Sequence, residues 1–385
     1  MRDAFLEFSP PCLGEEEIAN VEDTLRSGWI TTGPKVRGFE EELAQVVGAE
    51  SALATFSATD AMQVGLAVMG VGAGDEVITT PMTFCSTVHV IEHVGAVPVL
   101  VDVEPDTLCI DPERIAEAIG PKTKAILPVH LYGHPCDMTE ILGLAESHGL
   151  LVLEDAAHAL PARFQGRPVG SIGDLTAFSF YSTKNITTGE GGMLTGDAEL
   201  IEKARPWALH GMTRDPLSRY REEGSWYYEV VLPGFKCNMT DIQAAMGHEQ
   251  LRKLPGFQQR RREVADRYGQ ALGELPEIEI PIERERCDSA WHIYAIRLRP
   301  EQLKIDRAQF IRELAKRRIG SSVHFIPVHI HPYFRDKYGF RPEDFPVTWE
   351  SYQRLVSVPL HPALNDDDVA DVIEAVVDVV TRFRR

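Results

Sequence analysis

Lys184 carries a primary amine in a setting that can make it a nucleophile. It follows an apolar, aromatic run over 175–181 and precedes a turn through Gly189, Gly191 and Gly192. A lysine held at a strand end among hydroxyls and glycines can be desolvated, which lowers its pKa and frees the amine. Such an amine condenses with pyridoxal phosphate (PLP) or with a carbonyl substrate. An arbitrary loop lysine is merely solvated, so the reading depends on what else the chain offers. Ser57-Ala58-Thr59-Asp60-Ala61 follows a strand and opens a helix, whose free N–H groups and dipole attract a phosphate. Taken alone, that loop is an ordinary Ser/Thr/Asp cap. Asp155 ends an apolar strand over 150–154. A carboxylate there can keep a pyridine nitrogen protonated, so that the ring accepts carbanion electrons. Alone, it is a helix cap. His158, three residues on, reads equally as a packed histidine or a site group. Phe84 follows a strand over 76–80 and can stack on a pyridine face, although a lone Phe more often fills a core.

These residues need elements to place them. Strands are expected at 52–56, 76–80, 97–103, 125–130, 150–154 and 176–181, all apolar enough to be buried on both faces. Helices at 60–69, 112–119, 138–148 and 198–209 lie between or after them. This alternation predicts a mostly parallel α/β sheet, which binds ligands beyond the carboxyl ends of its strands. Two helices precede it, at 15–27, with Ile18, Val21 and Leu25 on one face, and at 39–47. The region from Asp197 to Gly234 is less regular. Helices at 240–251 and 257–272 follow. A smaller α+β part then has strands at 291–298 and 322–326 and helices at 307–318 and 366–383. The division falls near Pro255, giving a large α/β domain over 1–255 and a small C-terminal domain over 256–385.

The totals exclude several classes. The 385 residues suffice for two or three domains, and 44% hydrophobic residues fit a folded chain. A net charge of −19 argues against nucleic-acid or anionic-membrane surfaces. The six cysteines form no Cys-x-x-Cys pair, which suggests a reducing, cytoplasmic setting. No apolar run is long enough to span a bilayer. His130, His134, His324, His329 and His331 have no cysteine or carboxylate at ligand spacing, so no metal site is expected. No Gly-x-Ser-x-Gly elbow occurs at a strand end.

Read in order, the motifs resemble the DegT/DnrJ/EryC1/StrS family of sugar aminotransferases, PLP enzymes of the aspartate-aminotransferase fold (type I). The resemblance runs over nearly the whole chain. It rests on Trp29-Ile30-Thr31-Thr32-Gly33-Pro34, Ser57-Ala58-Thr59-Asp60-Ala61, Gly74-Asp75-Glu76-Val77-Ile78-Thr79 and Pro128-Val129-His130-Leu131-Tyr132-Gly133. It continues through Glu154-Asp155-Ala156-Ala157-His158, Phe178-Ser179-Phe180 with Lys184-Asn185, Gly189-Glu190-Gly191-Gly192 and His210-Gly211. It ends with Met239-Thr240-Asp241-Ile242-Gln243-Ala244-Ala245 and His324-Phe325-Ile326-Pro327-Val328-His329.

The resemblance implies that Lys184 binds PLP and shuttles protons. It also implies Asp155 on the pyridine nitrogen, His158 near the ring hydroxyl and Phe84 on the ring face. The phosphate would take the N–H groups of Thr59 and Asp60 and the hydroxyl of Ser179, beside the hydroxyl donors that Ser57 and Thr59 offer in the loop itself. Two departures stand out. Ala58 replaces a Gly or Cys, and Lys236-Cys237-Asn238 replaces an Asn-Tyr-Arg segment that reaches the neighbouring subunit's site. The Lys-x-Asn version is similar to a subgroup that includes enzymes making 4-amino-4-deoxy-L-arabinose on UDP. The segments carrying Thr31, His324 and His329 resemble that subgroup most, which implies substrate contacts there.

The expected activity is transamination from L-glutamate, released as 2-oxoglutarate, to a nucleotide-linked keto sugar, as in polysaccharide or antibiotic sugar biosynthesis. Position 4 of the sugar comes first and position 3 second. The expected assembly is a homodimer with shared sites, Lys236 or Asn238 contacting the partner's cofactor phosphate. A sugar dehydratase of the same fold carries His in place of the lysine, and a non-catalytic relative would have lost Lys184 or Asp155; this chain keeps both.

Overall fold

A computed structural model describes residues 4–213 and 227–385. A seven-stranded sheet forms from β1 (Ser51–Thr55), β2 (Glu76–Thr79), β3 (Val97–Leu100), β4 (Thr123–Ile126), β5 (Leu151–Asp155), β8 (Leu175–Ser179) and β9 (Gly192–Gly196), in the order β1-β9-β8-β5-β4-β2-β3. Between β5 and β8 a short hairpin contains β6 (Arg163–Phe164) and β7 (Arg167–Pro168). The six expected strands all form and run in one direction. β9 was not expected, because five residues bounded by glycines carry little strand signal. It runs antiparallel to both β8 and β1. That reversal matters for the site. A parallel neighbour would need a crossover helix after β8, whereas an antiparallel one needs only a loop. The loop is 180–191, and it carries Lys184 over the carboxyl end of the sheet.

Alternation along the strands feeds two cores. Val152, Phe178 and Met193 face α2 (Pro34–Val47), among Phe39 and Leu43. Leu153, Ala177 and Leu194 face α3 (Ala58–Val68), among Met62 and Leu66. The remaining helices of this layer are α1 (Glu15–Ser27), α4 (Ser86–His93), α5 (Pro112–Ala118), α6 (Met138–His148) and α7 (Ala198–Ala208). Asp137 caps α6 by accepting from the Thr139 and Glu140 N–H groups at 3.1 and 3.3 Å. Part of the irregular region after α7, positions 214–226, lies outside the described residues.

Four expectations are corrected. First, α1 does not turn Ile18 and Leu25 inward; they are 58% and 55% exposed. Its inner face is Glu17 and Thr24, with Glu17 bonded to Gln250 and Lys253. Second, α2 starts earlier than 39, because Pro34 is well placed in a first helical turn. Third, the helices at 240–251 and 257–272 are one, Asp241–Leu272, with Pro255 inside it. Proline costs a backbone bond there. Packing on both halves outweighs the loss: α1 and α2 lie along the first half and the C-terminal helix Asp366–Phe383 along the second. Gly247 permits the close approach, since a Cβ there would lie 2.6 Å from the Phe39 ring. The division at 255 therefore falls within a continuous helix.

Fourth, 322–326 is not a strand. Only Ser322 pairs, exchanging backbone bonds with Ser357 at 3.1 and 2.8 Å. Pro327 lacks the N–H that would extend the ladder, and the chain swings toward the large sheet instead. The small sheet comprises β10 (Ile278–Glu279), β12 (Tyr294–Leu298) and β13 (Leu355–Val358), in the order β10-β12-β13. β11 (Cys287–Asp288) pairs instead with β6, tying the two layers together. Valines of Asp366–Phe383 and Phe310 of the helix Arg307–Lys316 fill the small core.

β1 lies at the edge of the large sheet, where unpaired backbone groups are a liability. Side chains cover them. Glu40 accepts from the Ala54 N–H at 2.8 Å and pairs with Arg205 at 3.0 Å. Arg205 donates to the Ala52 carbonyl at 3.0 Å. Glu40→Ala leaves that N–H and guanidinium without their acceptor, so a loss of about 2 kcal/mol is expected in urea unfolding. A change below about 0.5 kcal/mol, the usual size for an ordinary surface substitution, would show that water covers this edge as well as Glu40 does.

Candidate active site

A cavity of about 470 Å³ opens at the carboxyl ends of β1, β2, β5 and β8. Ser57, Thr59, Phe84, Asp155, His158, Ser179, Lys184 and His324 all line it. Lys184 sits in the loop after β8, its N–H donating to the Tyr181 carbonyl at 2.9 Å. Its open surface faces the cavity, and burial lowers its pKa to about 8 while Asp155 pulls the other way.

Asp155 ends β5 and is 4% exposed. It caps no α-helix. It accepts from the Thr87 hydroxyl at 2.8 Å and, two residues on, from the Ala157 N–H at 3.1 Å. Burial still pushes its carboxyl above the usual range, against those bonds and the charge of Lys184. A buried carboxylate so placed gains from a cation set against it.

His158 accepts at Nδ1 from the Tyr132 N–H at 3.3 Å and stacks on Phe325, centroids 5.7 Å apart. Burial, with Lys184 and His324 nearby, holds it well below the usual histidine range. At the start of α3, Ser57 accepts from the Asp60 N–H at 3.1 Å and donates to its carboxylate at 2.8 Å. The Asp60 N–H expected to meet a phosphate is therefore taken by the cap, which leaves the Ala58 and Thr59 amides ahead of the first intrahelical bond, Ala61 to Ser57. A Cβ on Gly192 would run into the Ser57 carbonyl, so this turn rests directly on β9. Phe84 is 58% exposed beside the cavity, its ring 6.1 Å from Phe325.

His324 reaches the cavity because its segment leaves the small sheet. Its Nδ1 meets the Ser357 hydroxyl at 2.9 Å, and burial lowers its pKa to about 4. Other expected residues are not brought there. His329 is fully buried against Phe345, in a separate cluster with Val88 and Val328, where a substrate does not reach. Thr31 is exposed, its carbonyl accepting from the Asp241 N–H at 3.1 Å. Lys236 is exposed and bonds Asn238, whose amide donates to Thr32 at 2.6 Å; neither lines the cavity of its own chain. The sequence reading missed Thr87, His292 and Phe325. Thr87 gives no signal beyond opening a helix, Phe325 sits within a motif already singled out, and His292 is marked only as part of the expected strand 291–298.

Residues 11–377 match the sequence profile of the DegT/DnrJ/EryC1/StrS aminotransferase family. The chain belongs to this family. It is 50% identical over 381 residues to the spore coat polysaccharide biosynthesis protein SpsC of Bacillus subtilis, covering 98% of each chain. Among solved structures it is similar to the sugar aminotransferase Spr1654 of Streptococcus pneumoniae, known in PMP and PLP forms. The TM-score is 0.92 at 37% identity, over 98% of this chain and 99% of that one. Helicobacter pylori PseC, an aminotransferase involved in pseudoaminic acid biosynthesis, gives a TM-score of 0.91 at 28% identity, over 99% and 100%. The fold is that of the PLP-dependent aminotransferases, and the chain is a PLP-dependent sugar aminotransferase.

The cavity suits PLP. It offers a primary amine, an underpaired buried carboxylate for a ring nitrogen, and helix-end amides with the Ser179 hydroxyl for a phosphate; the Ser57 O–H is spent on Asp60. Among the described residues no cluster could hold a metal ion. The lowered pKa of Lys184 is testable. Below about pH 8 its free-amine fraction falls about tenfold per pH unit. Borohydride trapping of PLP on Lys184 in apoprotein, followed by peptide mass spectrometry, is expected to rise to about pH 8 and then level. A rise continuing to about pH 10, the range of an ordinary lysine, would show that burial does not tune this amine.

Proposed function

We propose that this aminotransferase moves an amino group from L-glutamate to a nucleotide-linked 4-keto sugar, giving a 4-amino-4-deoxy sugar. The observation that carries the reading is the convergence of Lys184, Asp155, His158 and the start of α3 on one cavity. PLP when bound supplies the electron sink for carbon–hydrogen bond breaking. The chain does the rest. Lys184 holds the cofactor and then, as a free amine, moves the proton. Asp155 keeps the ring nitrogen protonated. His158 bonds the ring hydroxyl and Phe84 covers a ring face. Ser179 and the Ala58 and Thr59 amides take the phosphate, while Ser57, bonded to Asp60, shapes the turn. His324 meets the sugar. The polysaccharide biosynthesis named for SpsC and the description of Spr1654 as a sugar aminotransferase support the substrate class; position 4 and glutamate rest on the resemblance of motifs. A 3-keto sugar is the second reading.

Incubating the PLP enzyme with L-glutamate and a panel of UDP- and dTDP-linked 3-keto and 4-keto sugars tests this. Release of 2-oxoglutarate and a C4 amine, located by NMR, are expected. Amination at C3 would replace the reading with the second one, and no 2-oxoglutarate with any acceptor would remove glutamate.

The same proposal includes a homodimer with shared sites. Ile18, Leu25 and Phe56 are about half exposed or more, apolar side chains that a second copy could cover. Thr31, Lys236 and Asn238 lie outside their own cavity, and the Lys236 ammonium and Asn238 amide have protons beyond those they spend on Asn238 and Thr32. A cofactor phosphate gains from an ammonium or amide donor beyond what a helix end supplies. Two inactive variants, Lys184→Ala and the double change Lys236→Ala with Asn238→Ala, are expected to regain activity when dissociated and reassociated together, because hybrids then contain one intact site. No recovery from confirmed hybrids would place these residues outside the partner's site.

A further inference from the structure

His292 opens onto the same cavity as His158, and the two rings lie 4.5 Å apart at their centroids. Neither ring is free to choose its tautomer. The Asn185 amide nitrogen donates to two carbonyls, Leu160 at 2.8 Å and Ala290 at 2.9 Å. Only an NH2 group can do this, so its oxygen is the atom that faces His292 Nδ1 at 2.9 Å. An amide oxygen only accepts, and Nδ1 of His292 therefore carries the proton. In a neutral imidazole that leaves Nε2 bare. His158 is the reverse. Its Nδ1 accepts from the Tyr132 N–H, so its proton is on Nε2. Both rings stay neutral, since burial and the neighbouring Lys184 hold each well below the usual histidine range.

One residue organises both. Tyr132 stands at φ 59° and ψ 5°, an uncommon backbone state for a bulky side chain. Its N–H goes to His158, its carbonyl accepts from the His292 N–H at 2.9 Å, and its hydroxyl donates to the His324 carbonyl. Buried Arg261 donates to the Trp291 and His292 carbonyls at 3.3 Å each, fixing the segment from the other side.

We propose that Tyr132 and Asn185 are positioning residues that set His158 and His292 in opposite tautomers, so that the cavity wall presents an N–H donor beside a bare nitrogen acceptor, and that the acceptor, His292 Nε2, binds a hydroxyl of the sugar substrate. A lone pair there repels carboxylate oxygens and welcomes an O–H donor, so His292 contributes to the sugar half of the reaction and little to the amino-acid half. The hydroxyl assignment rests on the sugar reading above; the tautomers do not.

Two-bond 1H–15N correlation spectra of the 15N-histidine-labelled PLP enzyme test the tautomers, with assignments from His158→Gln and His292→Gln. The expected result is a protonated Nδ1 and bare Nε2 in His292, and the opposite in His158. Asn185→Leu removes the acceptor and is expected to lose the His292 tautomer. The same tautomer in both rings, or a His292 indifferent to Asn185→Leu, overturns the arrangement. His292→Phe then tests the role with L-glutamate and a UDP-linked 4-keto-6-deoxyhexose as probes. KM for the sugar is expected to rise about tenfold, as for one lost hydrogen bond, with the glutamate half-reaction and the visible absorbance of the bound cofactor unchanged. An unchanged sugar KM overturns the hydroxyl contact. If the wild type fails to use the probe sugar while the spectra show opposed tautomers, the substrate reading fails and the tautomer assignment stands.

Discussion

A carboxylate buried at the end of a sheet is the constraint on which this site depends. Asp155 sits in the middle of the strand order, walled by β4 and β8, with its own N–H donating to Pro128 and its carbonyl accepting from His130. Thr87 and Ala157 offer two hydrogen bonds, too few to offset desolvation. Beneath it His130 and Glu154 form a closed pair: the His130 Nδ1 accepts from the Cys136 N–H, so Nε2–H donates to Glu154 at 2.8 Å. Glu154 also takes the Thr176 hydroxyl and the Gly173 N–H. Adjacent carboxylates on one strand thus have opposite fates. Glu154 is satisfied, held below the usual range by His130 and its other donors against burial. Asp155 is left wanting a cation, and it faces the cavity.

The lysine is set by topology as much as by chemistry. Antiparallel β9 beside β8 keeps the connection short and on the ligand side of the sheet. Glycines then let that loop lie close to the start of α3. The loop carrying the amine and the turn that opens α3 are held together by main-chain contact between Gly192 and Ser57.

Much of this was legible in the sequence. Buried parallel strands read as unbroken apolar runs, and their ends named Asp155, Ser57 and Phe84. Lys184 stood out through its glycines. What stayed hidden depended on contacts between distant segments. β9 is too short to have its own periodicity. The proline in Asp241–Leu272 is overruled by helices from both ends of the chain. The apolar stripe of α1 was visible, but not that Glu17 would find partners on the inner side and turn Ile18 and Leu25 outward. Thr31, His324 and His329 came from neighbouring motifs; only His324 reaches the cavity, because the chain leaves the small sheet after Ser322 and is buried again at Val328, against Val88 and Leu100 of the large layer. Tyr132 and Asn185 were quoted as motif letters, and nothing in the letters says that one takes a positive φ or that the other spends its amide on two carbonyls.

The cavity draws its walls from both layers. Lys184, Asp155, Ser57 and Ser179 come from the large sheet, while His292, His324 and Phe325 arrive from beyond the long helix. In the proposed function the first set handles the cofactor and the second meets the substrate. Reaction and fit are thereby inherited on separate stretches of gene. A crossover within the codons of Asp241–Leu272 would exchange the part that chooses a sugar while leaving untouched the part that moves the amino group, and a lineage could diversify its products by recombination without passing through inactive intermediates.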